Sequence, residues 1–572
     1  MRPGPGSDDA LLGLWDGHEA GVALVAGGRL IFALSEERPA RRKRASGFPW
    51  LALARALEHA QNAGLRVTDV AVAGRAGRLP LRWADARYAA SDPRRDPLAP
   101  SSHALAVWEN LAARAPGLGA LEAHAGAIPL RARLAGQLGG SFRLHLVPHH
   151  TAHAASAMLL PRTPHSLVLT LDAYGEGWAG SVRDACDFDR PRAHLPLTTG
   201  LAWLYGAVTV GLGFQEGDEG KVTGLAARGD PERLRGRFEA LLGPVPSQPH
   251  LGFPACLADL RRLARAAPRE DVAAALQAVV EARTCALVAS LLAPGPDPTR
   301  LLLAGGLFAN IRVNQALAVL PGVEGVRVFP HMGDGGLAVG AAAWAWRNTR
   351  GAWPAPVTGM DLGLVFDRAA MERALADAAL PTRRIADPVA EAAARLARGQ
   401  VLGWFEGRDE YGPRALGRRS ILCSARDAHL GDIVNRRLGR EPFMPFGPMV
   451  RAEDAPPLWR DPGAGTDLAT MTVAVDATPA LAGPCPLAVH LDGTSRPQVV
   501  EAAALPALHA LLTRHARATG EPALINTSFN RHGEPIVHSP TDALRTARAA
   551  RLDACLLLPV DEPGAFLVEP QP

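Results

Sequence analysis

Four side chains from distant parts of the sequence have the types and spacing to bind one metal ion. His149 and His153 are four residues apart, so in a helix both imidazoles lie on one face and can reach one cation. Asp172 ends an apolar, strand-like run, and Asp334 lies in a glycine-rich turn after another. Imidazoles combined with carboxylates favour iron, manganese or zinc. The sequence therefore predicts a metal site, although any one of these histidines alone could equally be a surface or capping residue.

Strands and helices must bring these residues together. The pattern predicts a β-meander over 11–34, whose first turn holds Asp16, Gly17 and His18. Further predicted elements are helices at 51–63, from about 149, at 307–320 and at 336–346, and strands at 67–73, 142–147, 166–171, 301–304 and 326–329. Glycines between a strand and a helix direct backbone N–H groups toward an anion, which is the geometry for nucleotide phosphate.

Composition excludes several classes of protein. The hydrophobic content of 48% and charged content of 21% are those of a globular protein, and a net charge of +4 gives no reason for a nucleic-acid or membrane partner. The sequence has no signal-peptide core at the N-terminus and no evident apolar run of about 20 residues. Six scattered cysteines without a CxxC pair indicate neither a disulfide scaffold nor a structural zinc site. We expect a cytoplasmic protein.

Lysine is almost absent. Of 61 basic residues only Lys43 and Lys221 are lysines, which leaves 59 arginines. Both lysines fall in motif-like segments, where a compact point charge differs from a planar guanidinium group.

The pattern changes after a Trp-Pro-Ala-Pro linker at 353–356, which predicts two domains, 1–353 and 357–572. The first alternates strands and helices as an α/β domain. The second reads as α+β, with helices at 371–380, 388–398 and 505–518 and strands at 401–405 and 523–525.

Eleven ordered segments carry a family resemblance: GHEAGVALV (17–25), EER (36–38), HHTAHAASA (149–157), LTLDAYGEG (169–177), EGKVTGLAARG (219–229), LLLAGGLFANIRVN (301–314), GDGGLAVGAA (333–342), DEYGPRALGRRSIL (409–422), REPFMPFGP (440–448), DGTSRPQ (492–498) and INTSFNRHGEPIV (525–537). Over nearly its whole length the chain resembles the O-carbamoyltransferases of antibiotic and nodulation-factor biosynthesis, the NodU/TobZ/CmcH type.

This resemblance implies an N-terminal actin-like ATPase domain (the ASKHA fold, as in tRNA threonylcarbamoyltransferases) and a YrdC-like C-terminal domain. The second domain would form carbamoyl-adenylate from carbamoyl phosphate and ATP, with Mg. The first would pass the carbamoyl group to a hydroxyl of a small-molecule acceptor, a natural product or sugar. Internal transfer limits hydrolysis of a labile intermediate. A homodimer is expected by analogy.

The resemblance also implies roles for individual residues. His18 would be the general base, because an imidazole is nearly matched to neutral pH. The metal, iron in such sites, would be bound by His149, His153, Asp172 and Asp334, whereas His150 would be a neighbour. Nucleotide would be contacted by Lys221, Gly305, Gly306 and Asn310. In the second domain carbamoyl phosphate and ATP would be bound by Arg414, Ser420, Arg496, Thr527, Ser528 and Asn530.

Several positions depart from the family pattern. Leu438 stands where a lysine is expected and Met444 where many members have arginine; Glu19 replaces Asp, and Arg44 replaces His. Each lost charged hydrogen bond is worth ~1.5–3 kcal/mol. Nearby arginines offer compensation: Arg436, Arg437 and Arg440. Activation of a small acyl phosphate other than carbamoyl phosphate is therefore an alternative.

Three other functions compete with carbamoyl transfer. A nucleotide-binding protein of the actin fold without transfer activity would not need the predicted metal ligands together with His18. A metallohydrolase would need the glutamate of HExxH, which is absent here. A hydrogenase-maturation carbamoyltransferase would carry zinc-finger cysteines. The sequence does not identify the acceptor. We expect its binding site to be shaped by residues 76–140 and 230–285, because these regions lie outside every family segment.

Overall fold

The computed structural model describes residues 8–75, 115–243, 253–292 and 297–570. The chain forms two units, one of residues 1–40 and 44–358, the other of residues 41–43 and 359–572. Of the regions expected to shape the acceptor site, residues 76–114 and 244–252 lie outside the described residues.

The first sheet of the first unit begins with the predicted meander. Its strands are β1 (Asp9–Trp15), β2 (Gly21–Ala26), β3 (Arg29–Ser35), β4 (Arg66–Ala73) and β5 (Arg143–Val147). The order is β3-β2-β1-β4-β5, with β1, β2 and β3 antiparallel and β4 and β5 added in parallel. Nearly continuous apolar runs such as GVALVA form these strands because residues on both faces are buried.

A second sheet repeats this arrangement. Its strands are β6 (Ser166–Gly175), β7 (Trp178–Asp184), β8 (Ala193–Pro196), β9 (Thr299–Ala304) and β10 (Val323–Val328). The order is β10-β9-β6-β7-β8, in which β6, β7 and β8 form an antiparallel meander and β9 and β10 are parallel to β6. The mixed α/β prediction is confirmed, and two sheets of one topology are what the resemblance to actin-like ATPase domains leads us to expect.

Helices surround both sheets. In the first unit they are Glu37–Ala40, Trp50–Asn62, Pro116–Leu138, His149–Ala157, Leu201–Gly211, Glu219–Ala226, Arg235–Leu242, Phe253–Ala266, Arg269–Leu291, Ile311–Ala318 and Leu337–Arg350. The last of these packs closely on its neighbours because its small residues leave room. A methyl group on Gly340 would lie 1.7 Å from the carbonyl oxygen of Ala152, and one on Gly13 would lie 2.0 Å from that of Ala338. These contacts fix the His149 helix and β1 against one shared helix.

One helix differs from the expectation that no segment could cross a membrane. Among the described residues, Arg269–Leu291 is long and apolar enough to do so, and 56% of its most apolar window is buried inside the protein. Its four valines and the alanines at 273–275 are buried in the interior of the first unit. Core helices of soluble proteins can have the same length and apolarity.

The second unit is built on an eight-stranded mixed sheet of order β11-β20-β19-β12-β13-β18-β14-β17. Its strands are β11 (Thr382–Ile385), β12 (Leu402–Glu406), β13 (Arg419–Ser424), β14 (Gly447–Arg451), β17 (Gln498–Val500), β18 (Ala523–Ser528), β19 (Ala554–Leu558) and β20 (Ala565–Val568), while β15 (Val475–Asp476) pairs with β16 (Thr494–Ser495). The helices are Arg368–Ala378, Pro388–Ala397, Ala428–Leu438, Pro479–Ala482, Pro506–Thr519 and Pro540–Ala549.

Two sequence expectations need correction. The strand predicted to end before Asp172 continues to Gly175, because irregular pairing after Leu171 lets the chain bend without ending the strand. The helix predicted over 307–320 is a short 3₁₀ turn followed by a helix that starts at Ile311. At the predicted linker, the backbone N–H groups of Ala355 and Val357 donate to carbonyls of the first unit, and the division between the two units falls after residue 358.

Candidate metal centre and anion site

His149 and His153 lie one turn apart on a helix that begins at His149. Pro148 precedes the helix with φ −56° and ψ 143°, an extended conformation that starts a helix cleanly. The whole helix is buried, so both imidazoles face the interior of the unit. The structure therefore has the predicted i,i+4 pair in the predicted element.

Asp172 approaches both histidines from β6. Its Oδ2 lies 3.0 Å from Nε2 of His153 and 3.4 Å from Nε2 of His149. Its Oδ1 accepts a hydrogen bond of 2.7 Å from the backbone N–H of Ala173. Regular pairing of β6 with β9 ends at Thr170. The register of β6 against β7 is irregular after Leu171, and in this stretch the carboxylate of Asp172 faces the helix that carries His149 and His153.

Asp334 completes the cluster from the turn that precedes the helix Leu337–Arg350. Its Oδ1 lies 3.3 Å from Nε2 of His153 and 3.6 Å from Nε2 of His149. The four ligand atoms all lie within 4.8 Å of one another. Bonds of about 2.0–2.2 Å from nitrogen and oxygen place ligands of one ion up to about 4.4 Å apart. The donor set therefore fits a single ion after small shifts.

The electrostatics of the cluster demand a positive charge. Burial lowers the pKa of His153, but hydrogen bonds to Asp172 and Asp334 raise it by more, to about 9. Burial raises the pKa of Asp172, but hydrogen bonds from His149 and His153 bring it well below its usual value. The carboxylates of Asp172 and Asp334 thus lie on the same two imidazoles, and either a protonated imidazole or a bound cation supplies positive charge between them.

His150 points away from this cluster. Its Nδ1 lies 3.2 Å from Oγ1 of Thr170 and its Nε2 lies 3.0 Å from the carbonyl oxygen of Trp178. Burial and the adjacent charges of His149 and His153 lower its pKa well below the usual value. His150 therefore holds the helix on the second sheet, as expected of a neighbour outside the ligand set.

His18 lies beside the cluster and remains reachable from solvent. Its Nε2 is 3.1 Å from Oδ2 of Asp334, and 64% of its side chain is exposed. Desolvation lowers the pKa of His18, but the carboxylates of Asp334 and Glu19 raise it by more. Trp15 Nε1 donates to the carbonyl oxygen of His18 at 2.6 Å, and Glu19 Oε2 accepts from Gly335 N–H at 3.2 Å. These bonds tie the His18 turn to the Asp334 turn.

The two glycines after β9 pack directly against the Asp172 strand. Gly305 has φ +110°, which favours glycine, and a methyl group on it would lie 2.1 Å from the carbonyl oxygen of Leu171. A methyl group on Gly306 would lie 3.0 Å from Oδ1 of Asp172. Only glycine allows this turn to approach the metal cluster so closely.

The side chains of Lys221 and Asn310 have partners inside the protein. Nζ of Lys221 lies 3.1 Å from Oδ2 of Asp218, three residues before it. Asn310 is the N-cap of the helix Ile311–Ala318, where its side-chain oxygen accepts from the N–H groups of Arg312 and Val313. Its amide also pairs with Gln277 at 2.9 and 3.1 Å. The sequence missed this structural role of Asn310, which its place after a strand–glycine turn could have indicated.

In the second unit, three of the predicted site residues accept hydrogen bonds from Arg440, one of the arginines expected to compensate for the missing cations. Arg440 donates to Oγ1 of Thr527 at 2.5 Å, to Oγ of Ser528 at 3.0 Å and to Oδ1 of Asn530 at 3.4 Å. The other two arginines expected to compensate do not bind these residues: Arg437 pairs with Asp553 at 3.3 Å, and Arg436 is exposed.

Arg414, Arg440 and Arg496 form a cluster of like charges. Burial lowers the pKa of Arg414 to about 10 and that of Arg440 to about 10. Burial and the charges of Arg414 and Arg440 bring the pKa of Arg496 well below its usual value. Within the described ranges, the side chain of Arg496 makes no hydrogen bond or ion pair with the protein. Converging guanidinium groups without a carboxylate on Arg496 are the chemistry of an anion site.

Ser420 and Leu438 take structural positions near this arginine cluster. Ser420 is fully buried, and its Oγ accepts from the N–H of Gly417 at 3.1 Å, so it supports the loop that carries Arg414. Leu438 is fully buried in the apolar core of the unit with Phe446. The cation expected at position 438 is therefore replaced by a core side chain.

Models of a known family match most of the chain. The carbamoyltransferase N-terminus model matches residues 11–244 and 255–343, and the carbamoyltransferase C-terminus model matches residues 393–560. Among solved structures, HypF of T. kodakarensis aligns with a TM-score of 0.29, 14% identity, 60% of this chain and 48% of that chain. A score this low carries no fold argument, so the fold rests on the strand order.

Curated relatives agree with these matches. Nodulation protein NolNO of Sinorhizobium fredii is 30% identical over 96% of this chain and 79% of its own length, and nodulation protein NolO of Bradyrhizobium diazoefficiens is 33% identical over 74% of this chain and 79% of its own. The 3'-hydroxymethylcephem-O-carbamoyltransferase of Streptomyces clavuligerus is 29% identical over 57% of this chain and 61% of its own length. The chain is an enzyme of the carbamoyltransferase family.

Proposed function

We propose that the protein is an ATP-dependent O-carbamoyltransferase whose acceptor is a hydroxyl of a small natural product or sugar. The observation that carries this proposal is the exposed imidazole of His18, which lies 3.1 Å from Asp334 at the edge of a buried His/Asp cluster. A base that solvent can reach beside a cation site is suited to activate an alcohol. The cephem relative is named for a hydroxymethyl acceptor, which supports a hydroxyl here.

The second unit, as a YrdC-like domain, activates the carbamoyl group. Carbamoyl phosphate, water and ATP give carbamoyl-adenylate, orthophosphate and pyrophosphate. Hydrolysis breaks the O–P bond of the mixed anhydride carbamoyl phosphate and releases orthophosphate. The resulting carbamate oxygen bonds to the α-phosphorus of ATP, whose bond to the pyrophosphate leaving group breaks, with Mg as the ATP counterion. The guanidinium groups of Arg414, Arg440 and Arg496 offset the repulsion between two polyanions.

The first unit carries out the transfer. His18 accepts the proton of the acceptor hydroxyl, the alcohol oxygen bonds to the carbamoyl carbon, and the bond from that carbon to AMP breaks. His149, His153, Asp172 and Asp334 would hold a metal ion, iron by resemblance, whose positive charge would stabilise nucleotide phosphate. Gly305, Gly306 and Lys221 bind the nucleotide, and the glycine turn packs directly against Asp172 of the cluster. A homodimer stays a prediction.

The two steps can be separated in one experiment. Wild type should release pyrophosphate only when both carbamoyl phosphate and ATP are present, and should form a carbamoylated product when an acceptor is added. His149→Ala should abolish product formation while pyrophosphate release persists, because the adenylate is made in the other unit. Pyrophosphate release by wild type that does not depend on carbamoyl phosphate would contradict the proposal, and loss of both steps in His149→Ala would contradict separate sites.

A second candidate is transfer of a different small acyl group from its acyl phosphate. The observation that favours it is Leu438, whose side chain lies in the apolar core where the family pattern has a cation. The test compares pyrophosphate release with carbamoyl phosphate and acetyl phosphate at equal concentration. Faster release with acetyl phosphate would favour this candidate over carbamoyl transfer.

A further inference from the structure

Two buried amide side chains, Gln498 and Asn526, lie beside the arginine cluster of the second unit. Each is only 1% exposed. Nδ2 of Asn526 donates to Oε1 of Gln498 at 2.7 Å and to the carbonyl oxygen of Ala415 at 3.0 Å. Nε2 of Gln498 donates to the carbonyl oxygen of Leu416 at 2.8 Å. Both N–H donors of the Asn526 side chain are therefore in use, and the two amides form one hydrogen-bonded unit that holds the backbone of Ala415 and Leu416.

Every residue that this amide pair joins is close in sequence to a member of the arginine cluster. Ala415 and Leu416 directly follow Arg414. Gln498 begins β17, two residues after Arg496. Asn526 directly precedes Thr527 and Ser528, which accept hydrogen bonds from Arg440. The pair thus links the loop of Arg414, the strand after Arg496 and the partners of Arg440.

Such a link is needed because the three arginines repel one another. The charges of Arg414 and Arg440, together with burial, destabilise the charged form of Arg496. Repulsion of this kind drives the segments apart unless other bonds hold them. Hydrogen bonds to the backbone oxygens of Ala415 and Leu416 resist it directly.

Neutral amides are the suitable groups for this purpose. A carboxylate at either position would pair with an arginine and compete with the substrate anion, and it would also lack the N–H donors that the carbonyls require. An apolar side chain at position 526 would leave the carbonyl oxygen of Ala415 without its donor, and one at position 498 would leave that of Leu416 without its donor. Amides hold the backbone without neutralising the guanidinium groups.

We propose that Gln498 and Asn526 are positioning residues that keep Arg414 and Arg496 at the spacing a phosphate group requires. This inference rests on the proposed function, because the anion is taken to be carbamoyl phosphate or ATP. The amide pair does not touch the substrate in this account and acts only through the arginines.

The test uses Gln498→Met and Asn526→Leu, which keep side-chain length or volume and remove the donors. The matched control is Ser424→Ala, which removes a buried hydrogen bond of 2.7 Å to Glu521 at the opposite end of β13 from Ser420. Thermal unfolding, the KM for carbamoyl phosphate in pyrophosphate release, and binding of inorganic phosphate to the free protein are measured for all four proteins.

We expect both amide variants to raise the KM for carbamoyl phosphate and weaken phosphate binding roughly tenfold, with a smaller change in kcat. Ser424→Ala should lower the unfolding temperature to a similar extent and leave both quantities unchanged. The inference is overturned if the amide variants unfold earlier but keep wild-type KM and phosphate affinity. Wild type that binds phosphate but releases no pyrophosphate would instead overturn the proposed function, and phosphate binding would still decide the role of the amides.

Discussion

His18 and Asp334 contact each other through a single carboxylate oxygen, with Nε2 of His18 3.1 Å from Oδ2 of Asp334. The other oxygen, Oδ1, lies 3.3 Å from Nε2 of His153. One carboxylate therefore links the exposed imidazole to the buried cluster. The side chain of Asp334 therefore both orients the imidazole of His18 and supplies one of the four ligands of the predicted cation site.

The first prediction concerns this exposed imidazole. In His18→Gln the amide still donates to Asp334 but cannot accept a proton from an alcohol, so carbamoyl transfer should fall by roughly 10²–10⁴-fold. Metal content and carbamoyl phosphate-dependent pyrophosphate release should stay at wild-type levels. The control is His165→Gln, an exposed histidine just before β6. Equal transfer rates in His18→Gln and wild type would remove His18 from the mechanism.

The second prediction concerns the space beside His149. A methyl group on Gly175 would lie 2.2 Å from Cδ2 of His149, so Gly175→Ala must displace the imidazole. Metal content should drop, and transfer should fall roughly 100-fold, as expected for a displacement of about 1 Å at a reacting site. The matched control is Gly236→Ala, where a methyl group meets nothing within 4 Å. Gly175→Ala with full metal content and full transfer activity would show that the site tolerates the shift.

The third prediction concerns Arg496, whose guanidinium group has no partner within the described residues. In Arg496→Met the loss of one charged hydrogen bond of ~1.5–3 kcal/mol should raise the KM for carbamoyl phosphate or ATP about 10–150-fold. Stability should not fall, because removal of Arg496 relieves repulsion from Arg414 and Arg440. Arg436→Met, which removes an exposed arginine four residues before Arg440, should behave as wild type. A destabilised Arg496→Met with unchanged KM would indicate a structural arginine.

The sequence was sufficient to predict the parts of the site that depend on local spacing. The i,i+4 pair His149 and His153 lies on the predicted helix, and the glycine turn at Gly305 follows the predicted strand. Motifs of this kind hold because helix periodicity and positive φ angles are properties of a few consecutive residues. The family resemblance and the mixed α/β architecture were confirmed for the same reason, since they depend on ordered local segments.

Other parts of the site depend on contacts between residues remote in sequence, and these were not predictable. Asp172 lies inside a strand because of irregular pairing with neighbouring strands. Arg440 enters the arginine cluster only because residues 87 to 90 positions later accept its hydrogen bonds. Ser420 and Asn310 were predicted to contact substrate or nucleotide, but their side chains cap a loop and a helix, roles that appear only with the fold. Whether they also touch a ligand stays a prediction.

The claim on which the account rests is that His149, His153, Asp172 and Asp334 hold one cation. The most direct test is the metal content per chain of wild type and of Asp172→Asn, purified in parallel and shown to be equally folded. We predict about one transition-metal ion per wild-type chain and a large loss in Asp172→Asn, because a neutral amide is a poor ligand and removes one of the two charges that balance the cation. Full metal content in a folded Asp172→Asn protein, or none in wild type, would contradict the account.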